Sequence, residues 1–197
     1  MEIFKRDTPL NISPAYLTPG FAFGGSCLPK DLRTVTYRAR AAGVSTPVLD
    51  AVLPSNSAHV ETALRRLQAV APGAKRVSLL GVAFKSGTDD LRESPNLELA
   101  ERLIGKGYDV RIHDEHVNLA RLVGTNRLHV ETVLPHIAQL LSEHLSDVLR
   151  HGDAVVVAQG NPAYARLCDT VQDRPILDLT GVARPSAPAP NYFGFAW

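Results

Sequence analysis

The sequence predicts an α/β protein in which a helical segment, residues 1–73, precedes a Rossmann-like domain with a parallel sheet, residues 75–197. Up to residue 70 the apolar residues recur at helical spacing. After an Ala-Pro-Gly break at residues 71–73, short apolar runs typical of buried strands alternate with helical patterns. That alternation indicates parallel strands joined by crossover helices.

Two helices are predicted in the first segment, at residues 30–42 and at residues 47–70. Gly43 ends the first helix, and Thr46-Pro47 begins the second. Pro54 lies inside the second helix and should kink or interrupt it near Asn56. So small a segment buries little of its own apolar surface, so we expect a partner subunit or another domain to cover this helix. Its apolar side consists of Val48, Leu49, Val52, Val60, Ala63, Leu64 and Leu67.

The second segment contains four predicted strands with helices between them. The strands are expected at residues 76–82, 108–113, 154–158 and 175–179. The helices are expected at residues 94–106, 142–151 and 162–167. The proline-rich tail after Thr180 favours an extended path, and its terminal aromatic residues are suited to docking on a surface.

Composition excludes several function classes. Lys and Arg number 21 against 20 Asp and Glu, so the net charge of +1 does not favour a nucleic-acid partner or an anionic membrane surface. Two cysteines are too few for a disulfide framework, and no apolar run approaches the roughly 20 residues of a spanning helix. The histidines show no metal-ligand spacing. We therefore expect a cytoplasmic protein with no membrane span and no metal.

A first group of chemically important residues surrounds Cys27. Gly24 and Gly25 precede it and allow a close approach of the backbone to a ligand or a positive φ. Pro29 suits the first turn of a helix that carries Lys30 and Asp31. A helix N-terminus and a neighbouring lysine both favour the nucleophilic thiolate, and Asp31 lies one helical turn further on the same face. The alternative is a small structural cysteine in a glycine turn.

A second group links the first strand to its helix, where Rossmann-like domains hold phosphate. The loop is neither a Gly-x-Gly-x-x-Gly turn nor a P-loop. Lys85 and Arg92 could contact phosphates directly, and Ser94 could cap the following helix. The alternative is a solvated loop in which these cations pair with Asp89, Asp90 and Glu93.

Two further positions are weaker candidates. Asp114 follows the second strand, where dinucleotide-binding folds often hold a ribose hydroxyl, although Asp at such a place also starts turns. Cys168 lies near no candidate partner in the sequence and is interpreted as a packing residue.

Both groups resemble motifs of one family. Residues 20–31 read Gly-Phe-Ala-Phe-Gly-Gly-Ser-Cys-Leu-Pro-Lys-Asp, and residues 84–95 read Phe-Lys-Ser-Gly-Thr-Asp-Asp-Leu-Arg-Glu-Ser-Pro. These resemble the catalytic cysteine segment and a loop of the C-terminal domain in the nucleotide-sugar 6-dehydrogenases that act on UDP-glucose or GDP-mannose. The resemblance covers essentially the whole chain, and Leu-Ile-Gly-Lys-Gly-Tyr at residues 103–108 favours the GDP-mannose branch.

The resemblance implies an enzyme of three parts: an NAD-binding Rossmann domain, a central helix used for dimerisation and a nucleotide-sugar domain. No Gly-x-Gly-x-x-Gly follows a strand in this sequence. We therefore expect the chain to supply the last two parts, to lack the N-terminal NAD-binding domain and to be inactive alone. The implied partners are a nucleotide-sugar substrate and a second copy of the chain, bound through the 47–70 helix.

The implied reaction oxidises GDP-mannose twice, to GDP-mannuronate, with hydride passing to NAD. Cys27 would attack the aldehyde to form a thiohemiacetal, and a thioester would follow that water hydrolyses with the help of Asp31. Lys30 and Arg92 would face NAD. By the same resemblance, the residues at the substrate would be Asn11, Tyr16, Phe21, Gly24, Gly25 and Lys85.

Three alternatives remain open. Thr18 and Ala15 depart from the GDP-mannose pattern, so the chain could belong to a UDP-glucose 6-dehydrogenase. It could instead be a non-catalytic nucleotide-sugar-binding or dimerisation module in which Cys27 is a relic. A thiol hydrolase would need a histidine near Cys27, and the nearest one in the sequence is His59.

Overall fold

The computed structural model describes residues 20–117 and 136–195, together with the isolated positions 3, 6, 7, 9, 13, 128 and 132. Helix α1, Leu28–Ala41, begins two residues earlier than predicted. The backbone N–H of Asp31 donates to the carbonyl oxygen of Cys27 at 2.8 Å and closes the first turn. Pro29 is tolerated in that turn because its missing N–H would have no intrahelical acceptor there.

Helix α2, Pro47–Val70, runs without a break through Pro54, so the predicted interruption near Asn56 is wrong. A proline inside a helix removes one backbone hydrogen bond, which costs about 3 kcal/mol. Tertiary packing offsets that cost in α2, because one side of its second half is buried. The buried residues are Val60, Ala63, Leu64 and Leu67.

The first half of α2 departs from the predicted apolar side. Val48 is 78% exposed and Leu49 is 37% exposed, although both share the helix with the buried residues of its second half. Within the described residues, Val48 and Leu49 therefore lie on a largely uncovered side of this end of the helix.

The second segment alternates strands and helices as predicted. Its elements are β1 (Arg76–Leu80), α3 (Pro95–Gly105), β2 (Asp109–His113), α4 (Ile137–Leu140), α5 (Leu145–His151), β3 (Ala154–Val157), a 3-10 turn (Pro162–Tyr164), α6 (Leu167–Thr170), β4 (Ile176–Asp178) and β5 (Tyr192–Gly194). The strands form one sheet in the order β2-β1-β3-β4-β5, and every neighbouring pair is parallel. The predicted fold class is confirmed.

Several boundaries differ from the sequence prediction. All four predicted strands are one or two residues shorter, and the predicted helix at residues 162–167 is a 3-10 turn at Pro162–Tyr164 followed by α6. Helix α5 begins at Leu145 and not at residue 142, because the N–H of Ser142 donates to the carbonyl of Ile112 and keeps this segment alongside β2. The tail turns after β4 and again before Tyr192, so only its strand β5 is extended, and the pairing of β5 with β4 was not predicted.

The sheet lies between two apolar clusters. Alternate residues of β3 join different clusters: Ala154 and Val156 join the first, and Val155 and Val157 the second. The first cluster also contains the buried residues of α2, so the second half of that helix packs with the sheet domain. The division at residue 73 remains a prediction. No helix among the described residues is long and apolar enough to cross a membrane.

Candidate active site

Residues 20–27, here called the cysteine loop, pack against residues 81–94, here called the charged loop. The contact is closest at Gly24, where a Cβ atom would lie 2.1 Å from the carbonyl oxygen of Glu93 and 2.6 Å from Cδ of Pro95. Real Cβ atoms do not approach other atoms so closely, so the two backbones can meet at this position only because Gly24 has no side chain.

Gly25 serves the same contact in a second way. Its φ of +90° is a conformation that suits glycine, and a Cβ atom there would lie 2.9 Å from the ring of Phe84. The close approach that the sequence predicts for a ligand is therefore made by the charged loop in this structure. A role of Gly24 and Gly25 toward a substrate remains a prediction.

Asn56 on α2 fixes the cysteine loop from the other side. Its Nδ2 donates to the carbonyl of Phe23 at 2.8 Å, and its Oδ1 accepts from the N–H of Phe23 at 2.9 Å. One side chain thus satisfies both backbone groups of Phe23. This role of Asn56 was not predicted, and its only signal in the sequence is a polar residue two positions after a proline inside the helix.

Cys27 lies immediately before α1, as predicted, and is exposed. The Oγ atom of Ser26 lies 3.8 Å from its sulfur. Lys30 and Asp31 form an ion pair with each other at 3.3 Å, and both side chains are more than 60% exposed. Exposed pairs of this kind contribute about 0–1 kcal/mol, so both groups remain available to a ligand.

The charged loop holds Arg92 beside Cys27. Nε and Nη2 of Arg92 donate to the two carboxylate oxygens of Asp90 at 2.9 and 2.7 Å. This bidentate contact raises the pKa of Arg92, and a weaker electrostatic interaction with Cys27 acts in the same direction. The guanidinium and the thiol are thus close enough to interact electrostatically.

Glu93 joins the charged loop to α1. Both of its carboxylate oxygens accept from Arg33, at 2.5 and 2.9 Å, although Arg33 is half-exposed. Glu93 also has a φ of 48°, which is uncommon for a residue with a side chain. Its backbone carbonyl is the atom that Gly24 approaches, so this strained residue lies at the contact of the two loops.

Buried polar side chains hold the segment that leads to Lys85. Oδ2 of Asp114 accepts from the N–H groups of Val82 and Ala83 at 2.9 and 3.1 Å. Nε2 of Gln159 donates to the carbonyls of Ala83 and Lys85 at 3.3 and 3.2 Å. Asp114 is only 4% exposed, so these contacts support its structural interpretation and not ribose binding.

Ser94 and Asn96 add two further contacts to the same segment. The Oγ atom of Ser94 accepts from the first N–H groups of α3, which confirms the predicted cap. The same hydroxyl donates to the carbonyl of Val82 at 2.7 Å, and Nδ2 of Asn96 donates to the carbonyl of Ala83 at 2.9 Å.

A cavity of about 220 Å³ opens at the carboxyl edge of the sheet, between the residues that follow β1, β3 and β4. This sheet-edge cavity is bordered by Phe21, Phe84, Lys85, Asn96, Gln159 and Thr180, among others. Lys85 is exposed, and no ion pair joins it to another residue that the structure describes. The solvated-loop alternative therefore holds for Arg92, which pairs with Asp90, and not for Lys85.

A larger hollow of about 310 Å³ lies between α1, α2 and α3. Glu93, Glu98 and Glu101 line it, and its Arg33 is already paired with Glu93. An anionic lining disfavours a phosphate ligand, so the smaller sheet-edge cavity is the better candidate for one.

Other predicted residues have different positions. Asn11, Tyr16, Ala15 and Thr18 lie outside the described residues. His59 packs between the rings of Phe21 and Phe195, and no contact joins it to Cys27 within residues 20–117, so the thiol-hydrolase alternative has no support.

Cys168 is a packing residue, as predicted. Its thiol donates to the carbonyl of Ala183 at 3.2 Å, and burial raises its pKa.

A parallel sheet with an exposed cation and a cavity at its carboxyl edge is typical of nucleotide-binding α/β proteins. Sequence profiles agree with this class. Residues 78–185 match the UDP binding domain of the UDP-glucose/GDP-mannose dehydrogenase family, and residues 1–58 match the central domain of the same family. The chain belongs to this family, which confirms the resemblance found in the two motifs.

Known relatives are dehydrogenases of this family. GDP-mannose 6-dehydrogenase of Pseudomonas putida is 42% identical over 199 residues, covering 100% of this chain and 45% of the relative. A ternary complex of GDP-mannose dehydrogenase from Pseudomonas aeruginosa superposes with a TM-score of 0.85 at 42% identity, covering 100% of this chain and 45% of that one. A UDP-glucose dehydrogenase from Pyrobaculum islandicum has a TM-score of 0.78 at 26% identity, covering 100% and 42%. The chain thus spans about half the length of these relatives.

Gly24→Ala is expected to separate the two loops, because the new methyl group would clash with the Glu93 carbonyl. Overpacking of this kind typically costs about 1–3 kcal/mol, which urea unfolding measures. Gly20→Ala is the matched control: a Cβ atom at that glycine would have no heavy atom within 4 Å, so its stability should be unchanged. Equal stabilities of the two variants would contradict the loop contact.

Proposed function

We propose that the chain is part of an NAD-dependent nucleotide-sugar 6-dehydrogenase that oxidises GDP-mannose to GDP-mannuronate. The observation that carries the proposal is the contact between the cysteine loop and the charged loop. This contact joins the loop that carries Cys27 to the sheet-edge cavity, which Phe21 of the same loop borders together with Lys85. The identity of 42% to GDP-mannose 6-dehydrogenase supports the choice of substrate.

Lys85 is the residue proposed to hold the diphosphate of the substrate. Parallel sheets bind ligands at the carboxyl ends of their strands, and an ammonium group there attracts phosphate oxygens. The cavity of about 220 Å³ is smaller than the roughly 300–1,000 Å³ of pockets that enclose drug-sized ligands. It would therefore hold one part of the nucleotide sugar, and the rest would extend along the cysteine loop past Phe21.

The cations near Cys27 fit the edge of an NAD site. Lys30 is 62% exposed, and Arg92 keeps a partly exposed guanidinium beside the thiol. These two residues would attract the anionic cofactor without enclosing it, and the sequence contains no Gly-x-Gly-x-x-Gly turn. Two hydride transfers from the sugar C6 are the chemistry that NAD supplies when bound.

Cys27 is proposed as the nucleophile. Its thiolate would form a carbon–sulfur bond to C6 of the sugar aldehyde, while the carbonyl electron pair moves to oxygen and takes up a proton. After the second oxidation, C6 would be the carbonyl carbon of a thioester. Water would attack this carbon and break the carbon–sulfur bond, which releases the uronate and restores the thiolate. Cys27 is exposed, so a substrate could reach its sulfur. Asn56 fixes the loop that carries Cys27, which would hold the sulfur in place.

Asp31 is proposed to take a proton from that water. It lies one helical turn beyond Cys27, and its exposed carboxylate forms a weak ion pair with Lys30. An exposed carboxylate near the reacting carbon can orient water and accept a proton.

The partner is proposed to be a second copy of the chain, bound through α2 and the adjoining α1. The two helices and the turn between them expose six large apolar side chains, a pattern that marks an interaction surface. These residues are Leu28, Val35, Tyr37, Val44, Val48 and Leu49. The cytoplasmic location predicted from the two unpaired cysteines stays part of the proposal.

Calorimetric titration of the purified chain should detect binding of GDP-mannose, and mixing with NAD should give no NAD reduction. Lys85→Ala should weaken binding about tenfold or more, since it removes a charged hydrogen-bond donor from the diphosphate. Lys106→Ala, at the far end of α3, is the control and should bind normally. Tighter binding of UDP-glucose would favour the UDP-glucose alternative, and binding of neither sugar would contradict the proposal.

Iodoacetamide should alkylate Cys27 faster in the folded chain than in the urea-unfolded chain. Exposure alone cannot make the folded rate higher than the unfolded rate, because the thiol of the unfolded chain is fully exposed. A folded site that favours the thiolate can do so. Cys27→Ser and Cys168→Ser assign the labelled residue by mass spectrometry. A folded rate equal to or below the unfolded rate would favour the non-catalytic alternative.

The chain should sediment as a dimer at micromolar concentration. Val48→Glu places a charge in the exposed apolar surface and should shift the chain toward the monomer. Gln68→Glu, an exposed position near the other end of α2, is the control and should leave the dimer intact. A monomeric parent chain would remove the proposed partner.

A further inference from the structure

The C-terminal tail delivers an aromatic side chain to the cysteine loop. Strand β5 continues the sheet beside β4, with Ile176 opposite Tyr192 and Asp178 opposite Gly194. Phe195 follows directly, and its N–H donates to the carbonyl of Asp178 at 3.0 Å. The path of the tail is thus set by backbone pairing as far as Phe195.

The fully buried Asp178 side chain anchors this tail. Its Oδ1 accepts from the N–H groups of Thr180 and Gly181, both at 2.9 Å. Its Oδ2 accepts from the N–H of Ala183 at 2.9 Å and from the hydroxyl of Tyr192 at 3.2 Å. One carboxylate therefore fixes both the turn after β4 and the strand that returns to it.

The ring of Phe195 contacts two rings from distant parts of the chain. Its centroid lies 5.7 Å from that of Phe21 and 4.8 Å from that of His59, with edge-to-face angles of 78° and 64°. The rings of Phe21 and His59 stack at 6.0 Å. This three-ring cluster joins the cysteine loop, α2 and the tail, and aromatic pairs prefer edge-to-face geometry at such distances.

We propose that Phe195 is a positioning residue that holds Phe21, and through it the cysteine loop, against the sheet-edge cavity. Phe21 borders that cavity and lies two residues before the backbone that Asn56 clamps. Without Phe195, the loop keeps the Asn56 clamp but loses the ring that packs on its first residues. That this loop binds a sugar rests on the proposed function, whereas the ring contact does not.

Hydrogen–deuterium exchange of the full chain tests the proposal without any ligand. Phe195→Ala should speed exchange of the peptide that covers residues 20–27 about tenfold, because the lost ring contacts raise the population in which the loop opens. The peptide of β1, Arg76–Leu80, should exchange at the parent rate. Phe195→Tyr, which keeps the ring, should restore protection of the loop.

Two variants keep the test decisive. Tyr192→Phe removes the hydroxyl bond to Asp178 from the same tail but leaves Phe195 in place, and it should not loosen the loop. Phe195→Leu keeps most of the buried volume and replaces Phe195→Ala if that variant does not fold. Unchanged exchange of residues 20–27 in the variants without a ring at 195 would overturn the proposal, and so would equal loosening in Tyr192→Phe. Because no ligand is present, either result is distinguishable from a failure of nucleotide-sugar binding.

Discussion

The arrangement of the site depends on the close contact of two backbones that lie some seventy residues apart in the sequence. At Gly24 the chain comes so near to the carbonyl of Glu93 that no side chain fits. Asn56 holds one side of this contact and Ser94 the other. Since both sides are fixed to helices, the start of α1, and with it Cys27, has a defined place relative to the sheet.

The hydrogen bonds that fix the segment before Lys85 carry a cost in free energy. Asn96 and Gln159 both turn their N–H groups to the carbonyl of Ala83, and in the part of the chain that the structure describes their buried oxygens, Oδ1 and Oε1, have no partner. A buried polar atom without a partner costs about 1–3 kcal/mol. The cost falls on these two side chains, whose N–H groups satisfy the backbone carbonyls of Ala83 and Lys85. The segment that leads to Lys85 is therefore fixed at the sheet edge.

The parts of the fold that local sequence determines were predictable, and the parts that distant contacts determine were not. The strand runs and the Ser94 cap depend on residues within one or two turns, and the thiol of Cys27 at a helix start depends on Pro29 nearby. Strand β5 is only three residues long and exists because β4 offers it an edge. The clamp of Asn56 on Phe23 joins residues 33 positions apart, so the local pattern around Pro54 does not reveal the partner of Asn56. For the same reason the sequence did not reveal that Gly24 and Gly25 lie at the contact of the two loops.

Helix α1, which carries Cys27 at its start, is the least secured element of the site. Only Pro29 and Thr36 of this helix are buried. Its ties to the rest of the chain include the ion pairs Arg33–Glu93 and Arg40–Asp50, each at 2.5 Å, in which both arginines are at least half-exposed. Such pairs contribute about 0–1 kcal/mol each, much less than burial of a single large apolar side chain, which contributes about 1.5–3 kcal/mol. A second chain that covered the exposed apolar residues of α1 and α2 would therefore stabilise the position of Cys27 more than the ion pairs do. In such an assembly, dimer formation and the position of Cys27 would be coupled through α1.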